Sequence, residues 1–412
     1  MASQIFANIK LLVNVREQTE LIRGKELANL PCIRSAYMII EDGIIAEYGT
    51  MDDCKFDVNQ SVNLQADSIV LPCWCDSHTH IVFAGSREDE FVDKIKGFSY
   101  AEIAAKGGGI LNSVTKLNET SEDELFRQSW KRIEEVRKMG TGAIEIKSGY
   151  GLTLEGELKM LRVIKRIKEK TNLAVKSTFL GAHAFPEQFK SDHEGYIKLL
   201  TEEILPVIAT EKLADYVDVF CEEGFFSPLE MEKVCIAAKQ FGLKPKLHVN
   251  QLNSVGGIEK GIEMNSISLD HLETLTDNEI RMLGAFGGCS TVLPGAAFFL
   301  RMRYPPVRKL IDAGAAITLA SDYNPGSSPS GNMNFVASLA CIQMKMLPEE
   351  AMNAATINGV YALALENEAG SITVGKKANL IFTKPVPSLA YLAYSFGTNH
   401  IDKVMINGEF VN

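Results

Sequence analysis

The chain has little with which to hold a polyanion. Its 42 lysines and arginines are outnumbered by 52 aspartates and glutamates, for a net charge of −10. Nucleic acid and anionic membranes select for basic surfaces, so neither is expected as a partner. An anionic small molecule would have to meet local cations inside its site. Nor is there a clean bilayer-spanning run. The most membrane-like window, Met282 to Leu300, is uncharged over 19 residues but carries four glycines and Pro294. It reads as a buried strand with its loops. The N-terminus, MASQIFANIKLLVNV, lacks the cationic region, apolar core and small-residue cleavage site of a secretory leader. Eight cysteines scattered over 412 residues without such a leader are expected to be reduced thiols in a cytoplasmic protein. Low-complexity tracts and Pro/Ser-rich linkers are missing as well. With 46% apolar and 23% charged residues, the composition is globular and excludes disorder.

The two ends resemble each other more than the middle. AYMIIEDGIIAEYG places Asp42-Gly43 between apolar runs, and KVMINGEFV does the same with Asn407-Gly408. Both are hairpin signals, because these residues tolerate positive φ. A small β domain built from residues 1–65 and 368–412 is expected. The middle, 66–367, alternates short apolar strands with amphipathic stretches, the pattern of a parallel α/β fold. Eight strands are predicted, at 68–80, 141–151, 176–186, 215–224, 243–251, 266–273, 289–295 and 315–322. Helical patterns lie between them, such as 156–170, with Leu158, Leu161, Ile164 and Ile167 three residues apart. Residues 227–242 open with Ser-Pro and close on Gly242, a capped helix. Eight strand–helix units predict an α/β fold, a (β/α)₈ TIM-like barrel with a small β-sandwich domain formed by the two termini. An open doubly wound sheet is the competitor, but it would normally show a glycine-rich phosphate loop after its first strand.

Of only seven histidines, five (His78, His80, His183, His248 and His271) fall at or near the C-terminal ends of predicted strands, the rim where a barrel collects its chemistry. His78 and His80 form a His-Thr-His whose alternation points both rings to one face. His248 ends strand five, and Asp322 ends strand eight beside Leu319 and Ala320, where a carboxylate is costly unless paired or metal-bound. Three imidazoles and one carboxylate make a borderline site for one divalent ion, Zn²⁺ or Fe²⁺, with a position left for water. A second metal would need a bridging ligand. Strand four ends Cys221-Glu222-Glu223 with no lysine, so one metal is expected. His271 is a candidate proton shuttle or oxyanion donor. Arg87 is a candidate bidentate clamp for a substrate carboxylate. Tyr150 and His183 are candidates to orient the ligand, and the Asn324–Ser328 turn to offer donors to an anionic group. His193 and His400 read as surface residues, Cys73-Trp74-Cys75 as packing, and Gly107-Gly108-Gly109 as a lid or turn near the mouth.

These residues sit in segments that resemble the amidohydrolase superfamily, and within it the imidazolonepropionase family of histidine degradation. The segments are DSHTHIVFAGSREDEF (76–91), KGGGI (106–110), EIKSGYGL (145–152), FLGAHAFP (179–186), SLDHLE (268–273), LPG with its phenylalanines (293–299) and ASDYNPGSSP (320–329). The His-x-His and the strand-eight Asp mark the superfamily, and the SGYG, GAHAFP and SDxNPGS segments narrow it. The resemblance implies hydrolytic opening of 4-imidazolone-5-propanoate to N-formimino-L-glutamate. It implies metal ligands at His78, His80, His248 and Asp322, and substrate contacts at Arg87, Tyr150, His183, Asn324, Gly326 and Ser327. It also implies a homodimer. One departure stands out. Many family members read His-Ala-Asp-Glu after strand five, whereas this chain reads His248-Val249-Asn250-Gln251. Gln251 cannot titrate, so it is expected to orient the ring while Asp322 and His271 handle protons. The alternatives are a related heterocycle deaminase, a two-metal dipeptidase- or dihydroorotase-like hydrolase, and a non-catalytic barrel scaffold.

Overall fold

A computed structural model describes residues 3–55, 62–64, 67–98, 102 and 108–411; Gly107 and Lys106 of the KGGGI segment lie outside them. Eight parallel strands follow one another in chain order: β1 (Trp74–Asp76), β2 (Thr141–Lys147), β3 (Ala174–Ala182), β4 (Tyr216–Cys221), β5 (Lys244–Val249), β6 (Ser268–His271), β7 (Cys289–Val292) and β8 (Ile317–Leu319). The ring closes just beyond the last strand. Asp322 N donates to His78 O at 3.0 Å, His80 N to Tyr323 O at 2.9 Å, and Ser321 N to the Asp76 carboxylate at 2.9 Å. Closure therefore joins the two segments that carry His78, His80 and Asp322.

Three helices matter below: α1 (Glu88–Ile95), α2 (Leu154–Lys170) and α3 (Pro228–Gln240). Thr153 caps α2 by accepting from Gly156 N, and the predicted stripe Leu158, Leu161, Ile164 and Ile167 is buried against the barrel. Ser227 and Glu230 form a reciprocal capping box at the start of α3, with Pro228 in its first turn. Helices cover the outside, so every residue of β2 and β4 is buried.

The terminal segments form a second, mixed sheet whose core includes Phe6, Leu12, Met38, Val70, Leu380 and Phe382. Its two hairpin turns meet: Asp42-Gly43 and Asn407-Gly408 all have positive φ, and a Cβ on Gly408 would come within 2.4 Å of the Gly43 backbone. The predicted strand 68–80 is in fact two. Residues Ile69–Pro72 belong to the terminal sheet and Trp74–Asp76 to the barrel. The hand-over falls at Cys73, where Cys73 N donates to Asn379 O and Trp74 N to Gly140 O. The window Met282–Leu300 also differs from a strand with loops. It holds the end of one helix, β7, and a further helix, Pro294–Leu300, which Pro294 opens at its first turn. Among the described residues no helix is long and apolar enough to cross a membrane.

Candidate active site

The barrel ends that close the ring also bring the candidate ligands together. His78, His80, His248 and Asp322 are all at least 97% buried. His78 Nδ1 bonds Asp270 Oδ2 at 2.7 Å, and His248 Nδ1 bonds Asp218 Oδ2 at 2.7 Å. Carboxylate partners make both Nδ1 atoms donors, which leaves the Nε2 lone pairs turned into the barrel mouth. There, His248 Nε2 lies 3.3 Å from His80 Nε2, and Asp322 Oδ1 lies 3.5 Å from His80 Nε2 and 3.6 Å from His78 Nε2. Burial holds all three imidazoles well below the usual histidine range, hence neutral. His78 Nε2 is buried without a hydrogen-bond partner. A buried lone pair facing other lone pairs and a carboxylate oxygen is unfavourable unless a cation sits among them. Three nitrogens and one oxygen, with outer carboxylates fixing the tautomers of His78 and His248, suit a divalent transition ion.

A layer beneath was not anticipated from the sequence. Lys147, at the end of β2, is fully buried and donates to Asp218 Oδ2 at 2.8 Å and to Glu145 Oε1 at 2.9 Å, with Asp270 Oδ2 at 3.9 Å. The two aspartates that orient His78 and His248 thus share one counter-cation. A second unforeseen group, Glu222 after β4, accepts from Leu252 N at 2.8 Å and Asn253 N at 3.0 Å, pinning the loop that carries Gln251.

Above the ligands opens a cavity of about 450 Å³ whose walls include Arg87, Tyr150, His183, Gln251, His271, Asn324, Gly326 and Ser327. His183 lies nearly parallel to His80, ring centres 5.3 Å apart, and its Nδ1 meets Gly149 O at 2.9 Å. Burial pulls its pKa down to about 4. Tyr150 is buried, and burial raises its phenol. His271 shows the opposite balance: burial pulls it down, but the carboxylates around it, Glu273 first and then Asp322 and Asp270, together outweigh burial and lift it above the ordinary value. His271 and Asp322 also hold positive φ, 87° and 53°, a local strain that marks sites over-determined by their surroundings.

Two expected contacts take a different form. Arg87 already spends Nε and Nη2 on Glu90 Oε2, at 3.0 and 2.6 Å, so that edge of the guanidinium is occupied. In the Asn324–Ser328 turn, the Gly326 and Ser327 amides both donate to Asn324 Oδ1 at 2.8 Å. The Ser327 hydroxyl donates to Asp322 Oδ2 at 3.2 Å. The turn therefore spends its amides on Asn324 and braces Asp322 through the Ser327 hydroxyl and the Asn324 side-chain amide, which donates to the Asp322 carbonyl at 2.7 Å. His193 stacks on Phe185 at 3.7 Å and His400 packs near Tyr391, both away from this cavity. A larger cavity, about 860 Å³, opens at the opposite end of the barrel, where Lys244 and Cys289 begin their strands and Ile267 precedes β6; its lining contains no histidine.

The amidohydrolase family model matches residues 69–411, and the chain belongs to that family. Its imidazolonepropionase relatives span nearly the whole chain. The imidazolonepropionase of Flavobacterium johnsoniae is 54% identical over 408 residues, covering 99% of both chains. That of Clostridium tetani is 40% identical, covering 94% of this chain and 93% of its own. Among solved structures, guanine deaminase from E. coli superposes with a TM-score of 0.74 at 12% identity, covering 100% of this chain and 99% of its own. That likeness extends to the fold.

Proposed function

We infer that the protein hydrolyses the cyclic amide of 4-imidazolone-5-propanoate to N-formimino-L-glutamate. The observation that carries this reading is the convergence of His78, His80 and His248 nitrogens with Asp322 under a cavity whose rim holds Arg87. His78, His80, His248 and Asp322 would hold one divalent ion, zinc or iron. Such an ion supplies Lewis acidity and brings the pKa of a neighbouring water to ~7. Asp322 takes a proton from the attacking water as its oxygen bonds to the ring carbonyl carbon. His271 donates a hydrogen bond to the carbonyl oxygen as it becomes an oxyanion. The ring C–N bond then breaks as the carbonyl re-forms, the nitrogen takes the proton from Asp322, and the carboxylic acid left behind releases its remaining proton to solvent as a carboxylate. Tyr150, His183 and Gln251 orient the ring, and Arg87 and the turn Asn324–Ser327 frame its propionate. Positioning of this kind contributes several kcal/mol to barrier lowering. A cytoplasmic homodimer belongs to the same reading, and sedimentation equilibrium tests its assembly.

The decisive assay generates 4-imidazolone-5-propanoate in situ from urocanate and follows loss of its ultraviolet absorbance. Absorbance should fall only with metal-loaded protein and without ammonia release. Decay no faster than the uncatalysed rate, at one bound metal per chain, would sink the proposal. Removing Arg87 exposes a second consequence of the geometry, because Glu90 is then left uncompensated at the rim. Arg87→Ala should raise KM about 10- to 100-fold for the carboxylate-bearing substrate, in the range of lost charged hydrogen bonds. An equal loss on an analogue without the carboxylate would contradict the assignment.

A further inference from the structure

Arg87, Glu90 and Lys94 occupy i, i+3 and i+7 along α1 and its N-cap, the spacing that stacks side chains on one helix face. Arg87 and Lys94 both line the cavity, and Glu90 between them is buried. Glu90 is fully used: Oε2 takes two donors from Arg87, and Oε1 accepts from Gly109 N at 3.1 Å and Asn112 Nδ2 at 3.2 Å. The charge of Arg87 is therefore cancelled in place. Lys94 stands otherwise. Its half-buried ammonium reaches the Gly326 carbonyl at 3.4 Å, a long contact. The guanidinium of Arg87 flanks the same glycine, where a Cβ would come within 2.2 Å of Nη1. Among the described residues, two cations and one carboxylate at this wall leave one positive charge uncancelled. Burial and the neighbouring Arg87 lower the pKa of Lys94, the direction expected of a cation short of compensation.

We propose that Lys94 is the specificity-determining cation that receives the carboxylate of the substrate, with the Arg87–Glu90 pair forming the fixed wall beside it. This rests on the hydrolase reading above. It predicts that an anionic side arm of the ligand is recognised mainly by a point charge on a flexible stem, and only secondarily by a guanidinium fork. Gly326 belongs to this subsite for a steric reason, since any side chain there would collide with Arg87.

The test uses the metal-loaded full chain and the variants Lys94→Met and Lys94→Arg, both at a partly exposed helix position. Calorimetry compares imidazole-4-propanoate with its primary amide, which has the same shape without the charge. The wild type should prefer the acid by about 10- to 100-fold. Lys94→Met should lose most of that preference, keeping only the share that Arg87 supplies, and Lys94→Arg should recover most of it. In turnover, Lys94→Met should raise KM by a similar factor with kcat changed only a few-fold. A Lys94→Met protein that keeps the wild-type preference for the acid overturns the proposal, as does an unchanged KM. The hydrolase reading fails separately, if the wild type leaves 4-imidazolone-5-propanoate intact while the charge preference still falls in Lys94→Met.

Discussion

Asp322→Asn should lower kcat by about 10²- to 10⁴-fold, the usual worth of a positioned general base, while metal content stays near one per chain. Asparagine keeps the shape and one ligating oxygen but has no carboxylate to accept a proton. The geometry explains why the loss should be confined to turnover. Oδ1 of Asp322 lies toward His78 and His80, whereas Oδ2 takes the Ser327 hydroxyl. The main-chain N–H of Asp322 is fixed on His78 O at 3.0 Å, so the backbone does not depend on the side chain. Burial pushes this carboxyl up to about 6, with His271 pulling the other way, which places a proton acceptor near the operating range. The check is single-turnover kinetics alongside metal analysis on the same sample. Wild-type turnover at full metal content would remove Asp322 from proton transfer.

Much of the rim was readable because its residues end strands. His78, His80, His248, His271 and Asp322 each follow an apolar run, and alternation plus barrel topology suffices to aim them at one mouth. The layer beneath was not read, although its signal was present. Glu145 and Lys147 alternate within an otherwise apolar strand, and Asp218 and Asp270 sit inside VDVF and SLDH. Charges in fully buried strands must be paired, but the pairing joins residues 71 and 192 positions apart, through Lys147–Asp218 and His78–Asp270. Sequence periodicity carries no information at that separation. Lys94 escaped for a related reason. The run Arg87 to Lys94 looks like a solvated charged helix start until Glu90 is seen to be buried. The single strand expected over 68–80 failed because apolar patterning cannot show that the chain changes sheets at Cys73.

Lys147→Met should destabilise the metal-free protein by about 3–5 kcal/mol, the cost of removing one partner from a buried ion pair. The replacement matches the stem of lysine, so the loss is electrostatic rather than a cavity effect. Burial alone would depress this ammonium, yet Asp218, Glu145 and Asp270 outweigh burial and hold it above the usual lysine range. Without it, three carboxylates remain in a fully buried layer, and Glu145 retains only Thr178 and the more distant Lys246 among the described side chains. Asp218 and Asp270 also lose the cation that fixes their orientation toward His248 and His78. Metal affinity should therefore fall as well, by about 10- to 100-fold, the range seen when groups orienting metal ligands are removed. Denaturant midpoints of the metal-free protein report the first effect, and competition with a chelator of known affinity reports the second. If stability drops while affinity holds, Lys147 supports the barrel without governing its mouth. If both are unchanged, the buried lysine is not the shared counter-charge of the two aspartates.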